Sequence, residues 1–452
     1  MKSQDHGREF FAALDIGTDK VLCIVARPGA EPGSMRVIGM GNARSSGVQE
    51  GCVVDVQEAV QSIRKAVQEA QYTAEVQLSG VWAAIGGKYL QSANCVGQTV
   101  LRGQEVSRED VEQAESNARL AAMREGKGST VIKLIPQGFR CGDVMTARPI
   151  GLVGPKLEAY VHALYGSKTN ADNLKRCIQR AGVEVINYEP HPWAAAQAVL
   201  SETEKTCGAA VIDIGAQTTS IIVMAEGRVQ FTDVRPWGAE IFTRDLAMVL
   251  GISLEEAEEL KRNSGECRLS QVIAGEVVQF ESHGALSRLY SRDLLVKTLA
   301  ARAQEYFHLY RQLLIDARAF DHVELVVLTG GGAMLPGIAD AAAAEMGKRV
   351  RIGLPRRAEG ESALLQRPDS VVAAGLVQCA IDAGALGVEN AWGVRRRQGF
   401  RERLKTFFIG LLTCPTLSLS AEWPKRTDNS PIPLTRLTCL LKFFLNLTRS
   451  KP

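Results

Sequence analysis

No two of the ten cysteines, which are spread from Cys23 to Cys439, form a CxxC pair. That excludes the usual zinc and redox spacings and suggests reduced thiols in a cytosolic protein. No apolar run approaches the roughly 18 residues of a membrane span, so no transmembrane helix is expected. The N-terminus, MKSQDHGREFFAALDIG, carries charges where a signal peptide needs an apolar run, which argues against secretion. The composition, 46% apolar and 23% charged, excludes a disordered chain. At 452 residues the chain exceeds one compact core, so two or three domains are expected.

Charge is present but unevenly placed. Residues 391–452 hold 12 Lys/Arg and 3 Asp/Glu, a net of +9, which leaves −6 for the other 390 residues out of a total of +3. A mildly acidic body therefore carries a basic tail, as expected of a chain that meets an anionic surface, either membrane or nucleic acid.

The body reads as two copies of one design. Phe10–Asp15 is an apolar run ending in Asp-Ile-Gly, followed by apolar runs at Val21–Ala26 and Met35–Met40. The same order returns at Ala209–Asp213, Ser220–Ala225 and Arg228–Val234. At an offset of 198, Asp15/Asp213, Ile16/Ile214, Gly17/Gly215, Ile24/Ile222 and Val25/Val223 are identical, which points to a duplicated domain. Chance similarity of two buried strands is the alternative. Around the repeats, helical spacing at Val56–Ala70, Ala171–Ala181, Ala239–Leu250, Leu254–Arg262, Ile338–Met346 and Val371–Ala380 alternates with strand signals at Val81–Ile85, Val183–Ile186 and Val326–Leu328. Pro190 and Pro192 open a further helix running to about Leu200. Such alternation implies α/β layers. The stretch between Gly87 and Gly166, with a helix near Asp110–Met123 and strands at Thr130–Ile135 and Glu158–Leu164, reads as an inserted α+β subdomain.

The chemistry resides in the glycine turns. Backbone N–H groups of a Gly turn can cradle phosphate oxygens, because Gly permits close approach. An Asp at the strand end can hold Mg²⁺ or its waters. Two such turns facing each other, Asp15–Gly17 and Asp213–Gly215, would grip a triphosphate from both sides, with Thr18, Thr218 and Thr219 adding hydroxyls and Lys20 neutralising a phosphate. The third turn, Gly330-Gly331-Gly332, between a strand and a helix, suits a nucleotide's sugar or α-phosphate. Each turn singly could be an ordinary strand turn or cap.

These features resemble the actin, sugar-kinase and heat-shock ATPase superfamily. Phosphate loop one is at Asp15–Lys20, phosphate loop two at Asp213–Thr219, the adenosine loop at Leu328–Pro336 and a connecting helix at Ser370–Leu376. Within that superfamily the chain is similar to the bacterial cell-division family FtsA. The resemblance rests on LIPQGFR (Leu134–Arg140), PIGLVGPKLEAYVH (Pro149–His162), Glu189-Pro190, Leu254–Arg262 and the spaced Arg292 and Arg302, and covers roughly residues 9–385.

The resemblance implies an α/β, actin-like fold: two duplicated ribonuclease-H-like domains around a nucleotide cleft, with an inserted α+β subdomain. The implied layout is domain I at 9–86 and 166–205, the insert at 87–165, and domain II at 206–385 with a smaller subdomain about 240–322. A linker and tail follow at 386–452. It also implies ATP and Mg²⁺ as cofactors, filament formation, and tethering of FtsZ to the cytoplasmic side of the inner membrane at the division septum. The insert is associated with filament contacts and later division proteins, and the region around Arg292 with FtsZ. The implied nucleotide contacts are Gly17, Thr18, Lys20, Gly215, Gln217, Thr218, Thr219, Glu258, Lys261, Arg262, Gly330, Gly331, Gly332 and Met334. Glu189 would position the attacking water, as in the chaperone branch, or be an ordinary helix N-terminal acid. The Glu258–Lys261–Arg262 trio shares one helix face and could equally be a solvated ion-pair face.

The chain departs from the family in one loop and at its end. The second phosphate loop usually reads Asp-Ile-Gly-Gly-Gly-Thr, whereas here Ala216-Gln217 replace two glycines, so a distorted cradle with weak or absent hydrolysis is expected. In the tail, Phe400, Leu404, Phe407, Phe408 and Leu411 share a helical face beside Arg401, Arg403 and Lys405. That is the pattern of an interfacial membrane helix and argues against nucleic acid, packing on the body or on a partner being the other reading. A second apolar stretch, Leu434–Leu447, lies beyond the point where the family usually ends, soon after about Thr413. A pilus-assembly scaffold and a small-molecule kinase on the same fold remain alternatives; the tail and the insert favour the division scaffold.

Overall fold

The computed structural model describes residues 10–385 apart from 32, 102–104, 127, 274, 281–287 and 360–362, so the tail helix expected over Phe400–Leu411 lies outside the described residues. The chain opens with the hairpin strands β1 (Phe11–Ile16) and β2 (Lys20–Pro28), then β3 (Met35–Arg44), a two-stranded hairpin of β4 (Val48–Gln49) and β5 (Cys52–Val53), helix α1 (Val56–Ala74) and β6 (Gly80–Ile85). The next segment comprises β7 (Gln91–Val100), α2 (Arg108–Glu125), β8 (Thr130–Cys141), β9 (Val144–Thr146) and β10 (Lys156–Gly166). Then follow α3 (Lys168–Ala181), β11 (Glu184–Pro190), α4 (His191–Val199) and α5 (Glu202–Cys207).

The second half runs β12 (Ala209–Ile214), β13 (Thr219–Ala225), β14 (Arg228–Arg235), α6 (Glu240–Leu250), α7 (Leu254–Ser264), β15 (Val277–Phe280), β16 (Arg288–Ser291) and α8 (Arg292–Asp316). It ends with β17 (Leu325–Thr329), α9 (Ile338–Met346), β18 (Arg349–Ile352), β19 (Ala358–Glu359) and α10 (Val371–Ala385).

The duplication read from the sequence is present in the backbone. One sheet has the order β11-β6-β1-β2-β3-β19 and the other β18-β17-β12-β13-β14, the same arrangement but for the added edge strand β19. The registers agree as well. Asp15 pairs with Leu22 and Asp213 with Ser220 across the antiparallel hairpins. Ala13 pairs with Trp82 and Val211 with Val327 across the parallel neighbours. Both hairpins close on the same bond, Gly17 N–H to Lys20 C=O at 2.9 Å and Gly215 N–H to Thr218 C=O at 2.9 Å.

The central strands read as continuous apolar runs because both faces are covered. Ala12 and Leu14 of β1, with Val21, Cys23 and Val25 of β2, face a core shared with α1 and α3. Ala13, Leu22 and Ile24 face the opposite core, which also takes Val211 and Ile222 of the second sheet. That middle core is filled by α4 and α10, so the two sheets share one helical layer. Small residues make the layer thin: a Cβ on Gly375 would lie 1.9 Å from the Ala194 carbonyl. The outer face of the second sheet packs on Phe242, Leu246 and the α8 residues Leu299, Tyr306, Phe307 and Tyr310.

The inserted segment forms its own four-stranded antiparallel sheet, β7-β10-β8-β9. Ala114, Ala118 and Ala122 recur every four residues along α2 and are buried, and Gly97 of β7 lets that helix approach, its missing Cβ lying 1.9 Å from the Ala118 nitrogen. This segment touches both halves. Lys133 of β8 pairs with Glu189 of the first half. Ser92, Asn94, Gln137 and His162 bond to residues 229–232 of β14.

Candidate functional site

Asp15 and Asp213 end equivalent strands and lie close enough for the charge of each to bear on the same neighbours. Burial, with the Asp15 charge added, pushes the Asp213 carboxyl up to about 6, against the opposing pull of His191 and Lys20. The Asp213 Oδ1 atom rests on the backbone of Gly330, where φ is +82° and a Cβ would come within 2.4 Å of that oxygen. Only Gly combines this dihedral with this approach. Gly332 is required by packing, its missing Cβ lying 2.3 Å from Ile214 Cγ2, whereas Gly331 faces open space. Thus the three glycines bring the β17 turn against the end of β12 and leave open space at Gly331.

Asp15 has a partner that the sequence did not reveal. His191, the first residue of α4, places Nε2 3.1 Å from Asp15 Oδ1. Burial lowers the His191 pKa, but the Asp15 charge and, behind it, that of Asp213 outweigh it and raise the value above that of free histidine. His191 lines a cavity with Gly17, Thr18, Gly86, Gly87 and Thr218, which brings loop one, loop two and the end of β6 together. No local motif marks the histidine that follows Glu189-Pro190, because its contact with Asp15 joins positions far apart in the sequence.

Other expected residues are placed differently. Glu189 is 3% exposed, does not line this cavity, and pairs with Lys133 Nζ at 2.7 Å. Burial raises its pKa while Lys133 opposes. It is a link to the inserted segment, not a free base beside the cavity. Thr219 is fully buried, its hydroxyl donating to the Trp237 carbonyl at 2.7 Å and meeting the Tyr306 hydroxyl, so it faces the core and not the cleft. Lys20 pairs with Asp369 at 2.8 Å.

Glu258, Lys261 and Arg262 do share one face of α7. Burial raises the Glu258 pKa, but Lys261, Thr243 and Arg262 outweigh it and hold the carboxyl at about 2. Lys261 Nζ is 2.6 Å from Glu258 and also donates to the Ala239 carbonyl at 3.1 Å. The trio is thus partly a structural tie between α7 and α6. Met334 is 44% exposed beside Arg367.

The expected distortion of loop two is absent. Among the described residues, non-glycine positive φ occurs at Glu50, Glu75, Glu226 and Arg318, and not at Ala216 or Gln217. The loop keeps the hairpin bond of loop one, and its Gly215 and Ala216 carbonyls accept from the Ala239 and Glu240 amides at 2.9 and 2.8 Å. These bonds satisfy donors at the start of α6, whose N-cap has no side-chain bond. Side chains at 216 and 217 are tolerated because this conformation does not use left-handed angles.

The two carboxylates supply hard oxygen donors, and Asp15 Oδ1 is buried without a hydrogen bond of good geometry. Among the described residues no group of three or more His, Cys, Asp or Glu could enclose a metal. Such a donor set fits Mg²⁺, which keeps waters and shares ligands with phosphate, and does not suit a fully protein-caged ion.

With this geometry established, the sequence matches decide the family. Residues 210–375 match the profile described as Cell division protein FtsA, and residues 87–165 that of the SHS2 domain inserted in FTSA. The Cell division protein FtsA of Neisseria meningitidis is 31% identical over 399 residues, covering 87% of this chain and 95% of that protein. The chain belongs to the FtsA family. The FtsA of Pseudomonas aeruginosa is likewise 31% identical over 381 residues, covering 83% and 90%. Among solved structures, the PilM-PilN type IV pilus biogenesis complex matches with a TM-score of 0.59 at 19% identity, covering 83% of this chain and 99% of that chain. MreB 5 of Spiroplasma citri bound to AMPPNP matches with 0.51 at 13% identity, covering 84% and 98%. These likenesses show the actin-like fold, and the FtsA relatives show a cell-division role. Among the described residues no helix is long and apolar enough to cross a membrane.

Proposed function

We propose that this FtsA-family chain is a nucleotide-dependent division scaffold. It binds Mg²⁺–ATP between its halves, polymerises, and tethers FtsZ filaments to the inner membrane through its basic C-terminal tail. The observation that carries the nucleotide reading is that the Asp15 charge bears on Asp213, whose carboxylate lies against the Gly330 backbone. Asp15 and Asp213 hold the cation or its waters. The Thr18 and Thr218 hydroxyls and the loop amides face the phosphates. Lys20 reaches them on leaving Asp369. Bound Mg²⁺ supplies charge neutralisation of the phosphates. The AMPPNP bound to the Spiroplasma protein of the same fold supports a nucleotide ligand for this chain.

The domain layout proposed from the sequence goes with this reading, the insert and the region around Arg292 being surfaces for other division proteins and FtsZ. Turnover is slow, with a cause different from the loop-two distortion first expected. Glu189 is engaged by Lys133, so no free carboxylate there orients a water, and phosphoryl transfer depends on positioning.

The test is Gly331→Val. Because Gly331 faces open space, the variant should keep its melting temperature and lose affinity for a fluorescent ATP analogue by at least about tenfold, as blocked backbone approach requires. Equal affinity would remove the cleft from consideration, and phosphate release by wild type at about 1–100 s⁻¹, the rate of kinases, would remove the slow-turnover reading.

A further inference from the structure

Three contacts cross from one half to the other at the phosphate loops. Gln217 Oε1, in loop two, accepts from the Glu50 backbone N–H at 2.9 Å. Arg262 of α7 meets Asp19 of loop one at 3.1 Å. Lys20 of loop one meets Asp369, whose neighbour Pro368 accepts from Gly330 N–H and the Thr329 hydroxyl. The first contact differs in kind from the others. The ion pairs at Asp19 and Lys20 join flexible side chains, and the Asp19–Arg262 pair is half exposed, which makes that contact weak. The Gln217 bond ends on backbone.

That backbone is held firmly. Glu50 and Gly51 form the two-residue turn between β4 and β5, with φ of 47° and 74°, the signs of a type I′ turn. The first central residue of such a turn directs its N–H away from the hairpin, unpaired within it. Gly51 packs on Gly87, a Cβ there falling 2.5 Å from the Gly87 Cα, and Lys88 N–H donates to the Glu50 carbonyl at 3.2 Å. The Glu50 amide is therefore a fixed donor at the wall of the first half. Gln217 itself stands on a loop fixed by the start of α6. A glycine at 217, as in the family pattern, has no side chain with which to make this bond.

We propose that Gln217 is a cleft latch, a positioning residue whose carboxamide ties loop two to the Glu50 turn and holds the phosphate end of the cleft closed without nucleotide. Nucleotide must enter and leave past this bond. Removing it raises the open population in both the free and the loaded chain, so association and dissociation both accelerate. This kinetic consequence rests on the proposed nucleotide binding; the latch itself does not.

The experiment uses the full chain with Gln217→Leu, which keeps the side-chain bulk and lacks the acceptor, and Gln217→Glu, which keeps an acceptor. Hydrogen exchange at the Glu50 amide is followed without nucleotide. One hydrogen bond of ordinary net strength predicts exchange about threefold to tenfold faster in Gln217→Leu and near wild type in Gln217→Glu, with the Ser45 and Val54 amides unchanged in both. Stopped-flow binding of a fluorescent ATP analogue should show both rate constants raised in Gln217→Leu. Unchanged Glu50 exchange in Gln217→Leu overturns the latch. So does accelerated exchange with unchanged nucleotide rates, since the bond would then not gate the cleft. If wild type fails to bind the analogue, the nucleotide reading falls and the latch is judged on Glu50 exchange alone.

Discussion

The two halves share strand order, register and even the bond that closes each hairpin, yet they treat their acidic strand ends in opposite ways. In the first half, Asp15 has a partner in His191, and its loop carries Asp19 and Lys20, each ion-paired across the cleft. In the second half, Asp213 rests on glycine backbone and its pKa is pushed upward, while its loop carries an uncharged Gln217. Duplication preserved the backbone, which depends on short-range geometry and buried apolar strands. The charges diverged, because a side chain at a loop tip is judged by whatever faces it from the other half.

The comparison would break outright if the shared helical layer were wedged apart. Gly375→Val places atoms against the Ala194 carbonyl, with no rotamer that avoids a Cβ at 1.9 Å. A loss of about 3 kcal/mol or more is expected by thermal or urea unfolding, at the upper end of overpacking costs. A loss below about 1 kcal/mol would mean that α4 and α10 can separate freely.

Next in size is the junction of the inserted segment with the second half. His162 is 1% exposed between Asn94 and Thr232, and burial lowers its pKa to about 4. The unfolded chain binds the proton at about 6.5, so stability is complete above that pH and is lost as pH falls toward 4, by about 3 kcal/mol. Urea titrations at pH 7 and pH 4.5 on wild type and His162→Gln measure this. The glutamine variant should lose less stability on acidification, and parallel losses would dismiss His162 as the cause.

A sharper contrast comes from Asp15→Asn and Asp213→Asn. Above pH 6 the ionised Asp213 opposes folding, so Asp213→Asn should raise stability at pH 8 by about 1–2 kcal/mol, an effect that fades as pH falls below 6 and the native carboxyl is protonated. Asp15→Asn should lower stability, because it removes the partner of His191. The same sign for both at pH 8 would erase the asymmetry.

The last contrast is between the body and its tail. Phe407→Glu with Phe408→Glu should abolish flotation with anionic liposomes, since burial of each Phe contributes about 1.5–3 kcal/mol. Neutralising Arg401 and Lys405 should weaken it by about 1 kcal/mol each, in a salt-sensitive way. The reverse ranking, together with DNA binding, would favour nucleic acid.

Most elements were legible along the chain, though not all. The 25-residue helix α8 does not stand out in the sequence. Its buried residues from Leu295 to Leu314 do share one face, but Leu294, Leu309 and Ile315 are exposed outside it, so the apolar stripe is blurred in the sequence. Strand β7 was missed because QSANCVGQTV has no run of large apolar residues: Ser92 and Asn94 bond to β14, Val96 and Val100 are exposed, and Cys95 turns to the small core under α2.

Local chemistry settled the paired hairpins, the glycine turns and the strands buried on both faces, since each is dictated by neighbours a few positions away. Composition likewise carried the contrast between an acidic body and a basic tail. Contacts between distant segments reassigned the charged groups. Glu189 turned to Lys133 of the inserted sheet, Thr219 into the aromatic core, Lys20 to Asp369, and His191 to Asp15. A buried charge or hydroxyl takes the partner that folding brings within about 3 Å, and no spacing along the chain encodes which partner that is.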